Sequence, residues 1–145
     1  MQIVNRPEKI NGIKVVDDYA EIYSELLKGN EVYHWEEGDS MAPILENMEY
    51  CKITPISSID EVKLGDPVFC KIKAYGGSEY YMVHMVLLIS NKASDGEGKW
   101  FQIGNTSGDI YGWTQDIYGI ARGTDIFQET VAVAERTVGY DPYDV

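Results

Sequence analysis

Apolar residues three and four apart mark the first element of the chain: Tyr19, Ile22, Tyr23, Leu26 and Leu27 share one face of a helix. Asp17 or Asp18 caps its start. Lys28-Gly29-Asn30 supplies the stop, because glycine suits the left-handed turn that ends a helix. Before the helix, Ile3, Val4, Ile13, Val15 and Val16 form short apolar pieces of an arm or edge strand. After Asn30 the pattern shortens toward a period of two. Strands are predicted over 31–35, 48–53, 68–73, 79–89, 100–103, 117–121 and 126–130. Tyr75-Gly76-Gly77-Ser78 reads as a hairpin turn between two of them. Loops carry Ser57, Ser58, Asp60 and Glu61, and then the polar run 90–98. The acidic, proline-containing tail 137–145 is expected to be loose.

No repeat or linker divides this pattern. It predicts a single, mainly β domain over residues 1–145, with an N-terminal arm and short helix over 1–36 and a β core over 37–130. A chain of 145 residues buries a core without help from disulfides or metal. The 11 tyrosines fit the same picture, since many lie beside β-branched residues on half-buried strands.

Charge narrows the partners. Asp and Glu number 24 against 12 Lys and Arg, a formal net charge of −12. Duplex nucleic acid and anionic membrane surfaces are both disfavoured, because binding phosphate needs clustered cations. The acidity serves solubility, attraction of a basic protein segment, or mimicry of DNA. Cys51 and Cys70 form no C-x-x-C pair, and the two histidines complete no zinc pattern. Both thiols fall in apolar strand-like runs and are expected to be buried and free, with a disulfide between neighbouring strands left open. No metal or other cofactor is implied. The longest apolar run, 82–89, is too short to cross a bilayer, and the first residues lack a signal-peptide core. A cytoplasmic protein is expected.

The segment richest in chemistry is Gly38-Asp39-Ser40-Met41-Ala42-Pro43-Ile44-Leu45. Glycine lets the backbone turn tightly before the serine, and Pro43 fixes φ after it. Such a bend presents a hydroxyl beside backbone N–H groups able to hold an oxyanion. By itself it is most simply a turn. Asp39 and Asp66 then read as local backbone acceptors. His84, among Met82, Val83, Met85 and Val86, reads as a histidine at the edge of the core. His34 reads as structural.

Taken in order, the motifs resemble the signal-peptidase/LexA-like serine peptidases. Residues 38–43 resemble the G-x-S-M-x-P signature of that clan. Val62-Lys63-Leu64-Gly65-Asp66-Pro67-Val68-Phe69 is similar to the G-D box that begins its next core strand. Tyr81-Met82-Val83-His84-Met85-Val86 resembles the strand that bears the general base, with histidine there as in the archaeal and endoplasmic-reticulum type. Residues 102–109, Gln-Ile-Gly-Asn-Thr-Ser-Gly-Asp, resemble its Gly/Asp/Asn turn, followed by the strand Ile117-Tyr118-Gly119-Ile120-Ala121. The matches span about 38–122. Met85 stands where arginine is usual, Asn105 where aspartate is common, and no membrane anchor accompanies them.

The resemblance implies a LexA-like or signal-peptidase-like coiled β-sheet and a Ser–His mechanism. Ser40 would be the nucleophile and His84 the base that takes its proton and returns it to the leaving amine. Lys73 would replace His84 only in another register. Asp109 is the first choice for a third group that orients His84, with Asp95 and Asp116 in reserve. Gly38, Asp39, Met41 and Pro43 would shape the substrate and oxyanion turn, with main-chain donors near Ser40 and Met41. The substrate would be a peptide or protein bound as an extended strand, with small residues before the scissile bond. No Ala-Gly pair offers a site for self-cleavage; Gly76-Gly77 and Ala121-Arg122-Gly123 are the nearest small-residue sites. The competing expectation is a non-catalytic relative whose acidic sheet binds a basic protein partner. A free-standing copy of this size suits a phage or mobile element.

Overall fold

The helical spacing near the N-terminus folds as α1, Tyr19–Leu27, in a computed structural model that describes residues 7–36, 49–73, 76–91 and 98–123. Asp18 is the cap: its carboxylate accepts from the Ala20 N–H at 3.1 Å. Asp17 turns instead toward the next strand, accepting from the Trp35 N–H at 3.4 Å. Gly29, at φ +85°, ends the helix in the left-handed region. The Asn30 and Gly29 N–H groups reach back to the Glu25 and Leu26 carbonyls, each at 3.0 Å, which is the Schellman closure. The buried stripe is narrower than the predicted face. Ile22 and Leu26 are buried, while Leu27 is 63% exposed, because Leu26 takes the inward position and the next residue rotates away by about 100°.

The arm is a small hairpin of β1, Lys9–Ile10, and β2, Ile13–Lys14. Asn11 and Gly12 both adopt positive φ, as the tight turn between them requires. Val15 then bridges Tyr33 in parallel, so the arm lies along the edge of the main sheet.

Among the described residues that sheet contains seven strands: β3, Val32–Glu36; β4, Glu49–Pro55; β5, Pro67–Lys73; β6, Glu79–Ser90; β7, Trp100–Gly104; β8, Ile110–Thr114; and β9, Ile117–Gly123. Their spatial order is β3-β4-β9-β5-β6-β7-β8, with every neighbouring pair antiparallel. A 3-10 turn, Ile59–Glu61, is held by a capping box between Ser58 and Glu61 in the loop before β5. Among the described residues the fold is therefore mainly β with one α-helix, as expected. β8 was absent from the predicted strands. The predicted strand 126–130 and the tail 137–145 lie outside the described residues.

Both faces of the central strands are covered, which is why β5 is an almost unbroken apolar run. Phe69, Val83, Met85, Leu87 and Ala121 pack under Ile22 and Leu26 of the helix. Val68, Cys70, Ile72, Val86, Phe101, Ile103 and Ile117 fill the opposite face. The sheet curls around this second cluster. The Lys71 N–H donates to the Asp116 carbonyl at 3.0 Å, so the chain after β8 returns to β5. Cys51 and Cys70 are buried and not disulfide-bonded. They lie on β4 and β5, which β9 separates, so the disulfide left open by the sequence does not form. Among the described residues, no helix is long and apolar enough to cross a membrane.

Candidate functional site

His84 lies in the middle of β6, paired with Val68 of β5. Strand alternation sends Val83, Met85 and Leu87 toward the helix, and places His84 on the other face with Met82 and Val86. The imidazole is half-buried there. Burial holds its pKa below the ordinary histidine value, because the charged ring loses its hydration. At neutral pH it is uncharged and able to accept a proton. The Tyr111 ring of β8 packs against it, with centroids 4.5 Å apart and planes inclined by 59°.

The turn between β7 and β8 is organised by Asn105, which is 7% exposed. Its side-chain oxygen accepts from the N–H groups of Ser107 at 3.0 Å and Asp109 at 2.9 Å. Its amide nitrogen donates to the Asp109 carboxylate at 3.0 Å and to the Tyr111 hydroxyl at 3.3 Å. All four of its hydrogen-bonding positions are thus used. Gly104, just before it, pairs with Met85 and brings this turn beside the histidine strand.

Asp109 therefore lies in the neighbourhood of His84, but its carboxylate is engaged by Asn105. The connection between them runs through Asn105 and Tyr111. Asp116 lies at the other end of β8, where its backbone binds Thr114 and Lys71. Lys73 falls on the opposite face of β5 from Val68, opposite Glu79 at the far end of the strand. Asp95 lies outside the described residues, as do Gly38, Asp39, Ser40, Met41 and Pro43. The segment carrying that serine connects Glu36 of β3 to Glu49 of β4, which are paired with each other.

His34 is buried on β3, and its Nδ1–H donates to the Val16 carbonyl at 3.2 Å. The imidazole ties the arm to the sheet. Among the described residues, no group of His, Cys, Asp and Glu side chains could hold a metal ion. A cavity of about 320 Å³ opens between Lys71, Lys73, Glu79, Trp100 and Trp113, at the opposite end of β5 from the residues facing His84.

Sequence reasoning passed over Tyr111. Its only local signal is its place two residues after Asp109, on a strand too irregular to predict. The Asn-Thr-Ser-Gly-Asp run did signal the turn, since asparagine oxygens accept from the backbone two residues ahead. Comparison of the chain with protein-family models, with curated proteins and with solved structures finds no match.

Proposed function

We propose that this chain is a cytoplasmic serine peptidase of the signal-peptidase/LexA-like kind, with its curled sheet a member of that fold. Ser40 is the nucleophile and His84 the general base. The observation that carries the reading is the half-buried, uncharged imidazole of His84 beside the Asn105–Asp109 turn. Two of the resembling motifs are thus neighbours through the β6–β7 pairing, although they lie apart in the chain. The ordered motifs before and after His84 supply the remaining support.

In this mechanism His84 removes the Ser40 proton as Oγ attacks the scissile carbonyl carbon. Main-chain N–H groups near Ser40 and Met41 hold the resulting oxyanion. The imidazolium returns the proton to the leaving amine as the C–N bond breaks, and an acyl-serine remains. Water, deprotonated by the same imidazole, then attacks the acyl carbon, and the imidazolium returns the proton to the Ser40 oxygen as the C–O bond breaks. The substrate is an extended segment with small residues before the cleaved bond.

The test compares wild type with Ser40→Ala and His84→Gln on a bacterial lysate, with new N-termini mapped by mass spectrometry. Cuts after small residues made only by wild type are expected. Identical products from all three proteins remove the peptidase assignment. The net charge of −12 favours a second reading, an acidic module for a basic protein. A complex that survives Ser40→Ala and dissociates at high salt would select it.

A further inference from the structure

We propose that Tyr111 is the positioning residue for His84, its ring fixing the plane of the imidazole by direct packing. The inference rests on the peptidase reading for its chemistry. Its geometry stands on contacts between β6, β8 and the turn after β7.

Tyr111 is 40% exposed, on a strand at the edge of the sheet. A tyrosine acting only as apolar cover would leave its hydroxyl in water. Here the hydroxyl accepts from Asn105 at 3.3 Å. The Asn105 side chain is itself fixed by three further hydrogen bonds within its turn. The ring is thus held at both ends, by the β8 backbone and by a buried amide. Its plane meets the imidazole at a 4.5 Å centroid separation, within the range of direct aromatic contact.

Among the described residues, two carboxylates near this face have partners of their own. Asp109 accepts from Asn105. Asp66, ahead of β5 on the face of Val68, accepts from the Lys63 N–H at 2.8 Å and lies 3.5 Å from an Arg122 nitrogen. From β5 itself the residue opposite His84 is Val68, and beyond it Ile120 of β9 is equally apolar. The Tyr111 ring is in direct contact with the imidazole. A packed ring fixes the imidazole plane without adding a charge of its own, so the imidazole stays able to accept a proton. A base held this way keeps a low proton affinity suited to returning the proton to an amine.

NMR of the full chain provides the test, with the His84 ring signals identified by their loss in His84→Gln. In wild type these signals carry a ring-current shift and titrate below the ordinary histidine value. Tyr111→Phe retains the ring but loses its anchor to Asn105 and should keep both features only in part. Tyr111→Ala should abolish the ring-current shift and raise the imidazole pKa as water reaches it. On a peptide cleaved by wild type, the alanine variant should lose about tenfold to a hundredfold in kcat with little change in KM. The phenylalanine variant should fall between wild type and the alanine variant. If Tyr111→Ala does not fold, Tyr111→Met keeps an apolar cover without an aromatic plane and is read by the ring-current shift and kcat. Unchanged His84 shifts and titration in a folded Tyr111→Ala protein would overturn the assignment. Absence of hydrolysis by wild type would instead remove the peptidase reading, while the NMR comparison still decides the role of Tyr111.

Discussion

Thr114 donates its hydroxyl hydrogen to the Lys71 carbonyl at 2.7 Å, joining residues 43 positions apart in the chain. The same oxygen accepts from the Asp116 N–H at 2.9 Å. Thr114 is buried and both bonds are part-buried, so water replaces them poorly. This latch holds the end of β8 against β5 and maintains the curl that brings Tyr111 over His84. Thr114→Val keeps the shape but removes both bonds. It should lower stability by about 1–3 kcal/mol, measured as a lower urea midpoint with an unchanged slope. Thr114→Ser, which retains the hydroxyl, should lose less.

Gly104 makes a second, purely steric demand. A methyl group at this position would collide with the Asp109 carbonyl oxygen and the Leu87 side chain. The first is backbone and the second belongs to the buried core, so neither yields cheaply. Gly104→Ala should destabilise the fold by about 1–3 kcal/mol and loosen the turn that anchors Tyr111. Ser107→Ala, exposed in the same turn, should stay within about 0.5 kcal/mol. Thermal unfolding of the pair separates crowding at Gly104 from a general sensitivity of the turn.

The elements that were legible in the sequence are those whose signals are local. Helix α1 announced itself through apolar spacing, an aspartate cap and Gly29, and the β5–β6 hairpin through its alternation around Gly76-Gly77. β8 gave no such signal. Ile110, Tyr111 and Trp113 are all substantially exposed, and Gly112 interrupts the middle of the strand. An edge strand of this kind has no buried face to impose alternation. The insertion of β9 between β4 and β5 was equally hidden, because strand order depends on contacts between distant segments. The same division holds at the site. His84 could be placed on a strand from its neighbours, and Asn105 in a turn from its own motif. Their meeting through Tyr111 required the curvature of the sheet. The serine turn and its signature lie outside the described residues.

Cys70 offers a probe of the packed interior. It sits on β5 within the second core cluster, and burial, reinforced by the negative charge of Asp116, pushes its thiol pKa far above the ordinary value. A protonated thiol without access to reagent is inert. Neither Cys70 nor the equally buried Cys51 should react with an aromatic disulfide reagent at pH 8 in the native protein. Both should react promptly in denaturant, releasing two equivalents per chain. Rapid native labelling would show instead that the sheet opens on the reaction timescale.

The burial of His84 also couples its protonation to folding. Its folded pKa lies below the ordinary value of 6.5 that it regains on unfolding. The unfolded chain therefore binds the proton more readily, and protonation favours unfolding. The contribution to stability is present above pH 6.5 and is lost as pH falls through the folded pKa. His84→Gln removes this titration but leaves His34 and every carboxylate in place. Urea unfolding of both proteins at pH 7.5 and pH 5.5 isolates the difference. Wild type should lose more stability than His84→Gln across that interval. Equal losses would mean that the imidazole is as well hydrated in the folded chain as in the unfolded one. The uncharged base on which the proposed chemistry depends would then have no structural cause.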